Sequence, residues 1–77
     1  MRDELRKFIV TNLMRDPDYP LEDDESLISG GLIDSFSLVE LQLFIEQQFG
    51  VRIEDTAMTA DSADSINLVV GLIEERQ

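Results

Sequence analysis

The sequence predicts an all-α fold: a small bundle of three to four helices with a long first loop, forming one domain over residues 1–77. Three observations carry this. Apolar residues recur at helical spacing in three separate segments, no segment gives a convincing strand signal, and a long aperiodic acidic stretch lies between the first two periodic ones.

The first helix is expected over roughly Arg2 to Met14. Leu5, Phe8, Ile9 and Leu13 fall at i, i+3, i+4 and i+8 and make one apolar stripe, with Asp3 and Glu4 in the first turn complementing the helix dipole. Pro17 ends it, because the residue before proline is pushed out of the helical region. From Arg15 to Ile33 no period is sustained, but Tyr19, Leu21, Leu27, Ile28, Leu32 and Ile33 are apolar enough to pin the loop to a core. The run DPDYPLEDDE fails as a calcium loop: counted from Asp16, the sixth position is Leu21, not glycine, and the twelfth is Leu27, not glutamate. A solvated acidic loop is the better reading. Gly30-Gly31 supplies a turn before the next helix.

That helix is expected from about Ser35 to Phe49, with Gly50 as its C-terminal stop. VRIEDT then connects to MTADSA, at most one short helical turn. The last helix starts near Asp64 or Ser65, carries Ile66, Val69, Val70 and Ile73 at i, i+3, i+4 and i+7, and runs out in the polar tail EERQ.

Composition narrows the function. Seventeen acidic residues against six basic ones give a net charge of −11, so nucleic acid and anionic membrane surfaces are poor partners and proteins with basic patches are favoured. With no cysteine and no histidine, the chain has no disulfide, no thiolate and none of the commonest general base, and it is a poor candidate for an enzyme. No signal peptide or membrane span is apparent, so a cytoplasmic monomer without stable membrane insertion is expected. A chain this short buries only about 60% of the surface that it exposes when unfolded.

The second helix has two apolar faces. At about 100° per residue, Leu38, Leu41, Ile45 and Phe49 form the core stripe, and Phe36, Val39 and Leu43 form another on a different face. Glu46 and Gln42 lie between the stripes on one side, and Ser37, Glu40, Gln47 and Gln48 on the other, where Phe44 leans toward the core. A chain of this length has few elements with which to cover a second face. The second stripe is therefore expected to be a protein-docking strip, although a central bundle helix buried all round is the plainer alternative.

Three Asp-Ser pairs occur: Asp34-Ser35, Asp61-Ser62 and Asp64-Ser65. Helix capping accounts for the latter two, with Asp61 and Asp64 forming an acidic first-turn pattern. For Ser35, spacing alone leaves cap and attachment site equally open. Here the stretch GLIDSFSLVELQLFIEQQFGV resembles the acyl carrier proteins, in which Asp-Ser followed by a large apolar residue opens the second helix. The likeness runs over nearly the whole chain, from the first amphipathic helix to the last. It implies that phosphopantetheine is joined to Ser35 through a phosphodiester and that its thiol carries acyl or aminoacyl groups as thioesters. It further implies that Asp34 helps to position metal and cofactor within the phosphopantetheinyl transferase. Phe36, Val39 and Leu43 would face partner enzymes, flanked by Glu40 and Gln47. Gln47 and Gln48 depart from the acids usual there, so Glu22 to Glu25 are expected to share the docking task. GGLIDS is closer to specialised stand-alone carriers than to those of fatty-acid synthesis. The partners implied are the transferase, a loading ligase and acyl-processing enzymes with basic patches. Ser35 would cap the helix and also carry the arm. Leu68 and Leu72, off the main stripe of the last helix, either complete the core or line a cleft for cargo. The alternative reading is a small acidic adaptor that binds a partner through Phe36, Val39 and Leu43 and is never modified.

Overall fold

The computed structural model describes residues 1–77 and contains three helices and no strand: α1 at Arg2–Phe8, α2 at Ser37–Phe49 and α3 at Ile66–Glu74. α1 continues without interruption into a wider π-helical turn at Ile9–Leu13, where Met14 N–H donates to the Ile9 carbonyl at 2.8 Å. Arg15 then turns left-handed (φ 57°) and Asp16 N–H closes on the Val10 carbonyl at 2.7 Å, so the helix ends just before Pro17, as its sequence requires. The fourth helix reduces to a single turn in which Ala63 N–H reaches the Thr59 carbonyl at 3.0 Å.

The helices meet along their expected stripes. Leu5 and Ile9 of the first segment, Leu38, Leu41 and Ile45 of α2, and Ile66, Val69, Val70 and Ile73 of α3 are buried. Each fully buried aliphatic side chain is worth roughly 1.5–3 kcal/mol of transfer free energy. Phe8, expected in the core, is half-buried and stacks on Phe44 (centroids 4.2 Å apart, planes at 12°), joining the first segment to α2. Phe49 is also half-buried, edge-on to Phe44 at 6.0 Å. Gly50 takes the left-handed conformation (φ 67°) that stops α2.

Neither long connection is loose. Leu21, Leu27 and Ile33 anchor the first loop in the core, with Tyr19, Ile28 and Leu32 packed against it. Polar groups fix the same loop: Arg6 Nε donates to the Leu21 carbonyl at 3.0 Å, Arg2 and Arg6 both pair with Asp23, and Tyr19 donates its hydroxyl to Glu25. Gly30 must be glycine, since a Cβ there would stand 2.3 Å from the Ser26 carbonyl oxygen. The second connection supplies Val51, Ile53 and Met58 to the core. It is strapped to α2 by Gln42, whose amide donates to the Ile53 carbonyl at 2.5 Å and to Asp55 at 2.9 Å. No helix is long and apolar enough to cross a membrane.

Candidate functional site

The site is set by how α2 begins. Asp34 Oδ1 accepts from Ser37 N–H at 3.0 Å and from the Ser37 hydroxyl at 3.2 Å. Asp34 is thus the capping residue, and Ser35, Phe36 and Ser37 form a tight first turn, in which Leu38 N–H reaches the Ser35 carbonyl at 3.3 Å. The expectation that Ser35 itself caps the helix is incorrect. Ile33 and Leu38, which flank the turn at the spacing of a hydrophobic staple, are both buried and fix this register. Ser35 consequently opens the turn that leads into α2, exposed, with its hydroxyl hydrogen-bonded to no protein group. The Ser35 and Phe36 amides are among the unpaired donors at the positive end of the helix.

The second stripe of α2 is exposed. Phe36 is 84% accessible, Val39 60% and Leu43 54%, and Glu40 and Gln47 lie exposed along one edge of the strip. Two open hollows flank Ser35. The wider, about 580 Å³, is walled by Leu13, Ile28, Leu32 and Ile33, and the narrower, about 320 Å³, by Leu38, Val39, Gln42, Asp55 and Met58. A third hollow, about 250 Å³, lies over the Phe8–Phe44 stack; its carboxylate, Glu4, is held by the N-terminal ammonium at 2.9 Å. No cluster of three or more Asp or Glu residues is arranged to ligate a metal ion.

The other Asp-Ser pairs are built differently. Ser65 is 8% accessible, extended (φ −155°, ψ 163°), and its hydroxyl accepts from Leu68 N–H at 3.1 Å, so it is the cap of α3. Asp64 turns away from that helix: its Oδ1 accepts from Ile28 N–H at 2.7 Å and Ser29 N–H at 3.0 Å, and its Oδ2 from the Ser29 hydroxyl at 2.5 Å. The Ser29 hydroxyl, then the Ser29 and Ile28 amides, hold the Asp64 carboxyl below its ordinary 3.8. At the short turn the reciprocal cap is made by Thr59 and Ser62 (Thr59 N–H to Ser62 Oγ at 3.0 Å, Ser62 N–H to Thr59 Oγ1 at 3.1 Å), not by Asp61.

Within the acidic loop, Asp23 is committed to Arg2 and Arg6, and Glu25 to Tyr19, leaving only Glu22 and Asp24 exposed there. The expected acidic ridge over Glu22 to Glu25 is therefore half used inside the molecule. Leu72 packs against the core, whereas Leu68 is 46% accessible, and neither lines a hollow at Ser35. Reasoning from sequence missed Gln42, Asp55 and Met58 on one side of Ser35, because their approach depends on a connection without periodicity. It also missed the tie between Ser29 and Asp64, residues far apart in the chain, which no local pattern announces.

A free hydroxyl beside unpaired amides at a helix N-terminus suits an anionic phosphodiester, and the flanking hollows leave room for its substituent. A scan against protein-family models finds none that matches this chain, and a search of curated proteins finds no match in sequence.

Proposed function

We propose that the protein is a carrier of the acyl-carrier type, which holds acyl or aminoacyl groups on a phosphopantetheine arm at Ser35 and presents them to partner enzymes. The observation that carries the reading is the division of labour at the start of α2. Asp34 satisfies the helix, Ser35 is left exposed with an uncommitted hydroxyl, and the apolar strip of Phe36, Val39 and Leu43 begins at the next residue. Once bound, the arm supplies the thiol that a chain without cysteine lacks. During attachment Ser35 Oγ forms the new P–O bond to the phosphopantetheinyl phosphate of coenzyme A, the bond to the adenosine bisphosphate breaks, and the hydroxyl proton passes to a base of the transferase. This chain offers no histidine for that task, and the adjacent carboxylate, Asp34, already accepts two hydrogen bonds from Ser37. The strip, edged by Glu40 and Gln47 on a chain of charge −11, suits enzymes with basic rims around an apolar contact. In this reading the chain catalyses nothing itself and works in the cytoplasm beside those enzymes.

Intact mass after incubation with coenzyme A and a broad-specificity phosphopantetheinyl transferase tests the proposal. One phosphopantetheine group is expected on the wild type and on Ser65→Ala, and none on Ser35→Ala. An unchanged wild-type mass with several transferases would leave the adaptor reading, in which the same strip binds a partner without modification.

A further inference from the structure

One wall of the wider hollow at Ser35 is held from the far end of the chain. Leu27 N–H donates to the Asp64 carbonyl at 2.8 Å, and the Asp64 carboxylate takes the next two amides, of Ile28 and Ser29, together with the Ser29 hydroxyl. Beyond Ser29 the chain has little freedom. Gly30 lies against the Ser26 carbonyl, Gly31 adopts φ 78°, and Leu32 and Ile33 N–H both return to the Leu27 carbonyl, at 2.9 and 3.0 Å. Residues 27–33 are thus a closed unit, tied at its start to Asp64 and delivering Asp34-Ser35 at its end. Asp64 is itself held in place because Ser65, the next residue, caps α3 and is buried.

We propose that Asp64 is a positioning residue for modification of Ser35: by anchoring Ile28 and Ser29 it keeps the approach to Asp34-Ser35, and the hollow beside it, in one conformation for the transferase. The inference rests on the carrier reading. A loop that is already ordered removes an entropic cost from association, so losing the anchor raises KM for the carrier and leaves the chemical step largely intact.

Transfer onto Ser35 is followed by intact mass over a range of carrier concentrations, at a temperature where circular dichroism shows every variant folded. Asp64→Ala is expected to raise KM on the order of tenfold with kcat changed less than about twofold. Asp64→Asn keeps an oxygen for both amides and should recover most of the loss, and Ser29→Ala, which removes only the hydroxyl, should fall between. Ile73→Val, a core change in the last turn of α3 that leaves every hydrogen bond of Asp64 in place, lowers the melting temperature without moving KM. In Asp64→Ala, hydrogen exchange should quicken at the Ile28 and Ser29 amides. A wild-type KM in Asp64→Ala, or an equal rise in Ile73→Val, overturns the positioning role while the carrier reading stands. A wild type that accepts no group overturns both.

Discussion

Asp34-Ser35 and Asp64-Ser65 each precede a large apolar residue and a helix, yet the work of the two side chains is exchanged between them. In the first pair the carboxylate accepts from the amide three residues on, at Ser37, and the serine stands in the turn that leads into α2, facing solvent. In the second the hydroxyl bonds the third helical amide, and the aspartate, now outside the helix, reaches across to the loop at Ile28 and Ser29. The capping side chain lies one residue earlier, relative to the pair, in the first case. A staple supports the register of the first pair only, and α3 is capped without one. Ile33 precedes Asp34 and is buried with Leu38, whereas the residue before Ser65 is Asp64, which no staple can use. A hydroxyl spent on capping is buried and chemically silent. One displaced by a single residue is presented at the rim of two hollows.

The sharpest way to break this comparison is to truncate both serines. Ser65→Ala removes a buried cap and strands the Leu68 amide, and should cost about 1–2 kcal/mol of unfolding free energy. Ser35→Ala removes a hydroxyl bonded to no protein group and should stay within about 0.5 kcal/mol of the wild type. Urea titrations of the two variants measure the difference. Equal losses would mean that the hydroxyls are not used differently.

Replacing the first aspartate separates its two assignments. Asparagine caps nearly as well as aspartate, so Asp34→Asn should keep stability to within a few tenths of a kcal/mol. Transfer onto Ser35 should nevertheless slow if the charge of Asp34 is what the transferase uses. Unchanged transfer in Asp34→Asn would restrict Asp34 to capping. The mirror variant, Ser65→Thr, keeps a capping hydroxyl in α3 and leaves transfer untouched.

The difference between the pairs was partly legible in the sequence. The stripes of Leu38, Leu41 and Ile45 and of Ile66, Val69 and Ile73 stand out because a helix repeats its environment every turn. The second stripe at Phe36, Val39 and Leu43 was visible by the same repetition, and the shortage of covering elements pointed to its exposure. The cap at Asp34 was also within reach, through Ile33 and Leu38, but Asp and Ser are both good caps and the local pattern admits either. Val51, Ile53 and Met58 were hidden because three core residues in an irregular segment make no period. The hold of Asp64 on Ser29 and of Gln42 on Asp55 is tertiary, between residues 35 and 13 positions apart in the chain.

Acid should reveal the smallest difference, between an aspartate held by uncharged donors and a glutamate held by a cation. Both Glu54 carboxylate oxygens accept from Arg76, at 2.9 and 3.1 Å, and these bonds, followed by a backbone hydrogen bond, lower Glu54 from 4.5 to about 2. Asp64 is lowered from 3.8 by Ser29 and Ile28 instead. In both cases the folded state binds its proton less readily than the unfolded chain. Each contribution is therefore complete above the unfolded value and disappears as pH falls, for Glu54 between 4.5 and about 2 and for Asp64 below 3.8. Salt separates them, because an exposed ion pair is screened and hydrogen bonds from amides and a hydroxyl are not. Glu54→Gln should flatten the acid loss of stability in low salt and have little effect in high salt, whereas Asp64→Asn should flatten it in both. Equal salt sensitivity of the two variants would mean that Asp64 is held by the field of the surrounding charges, and the tie to Ser29 would lose its role as the anchor of the loop.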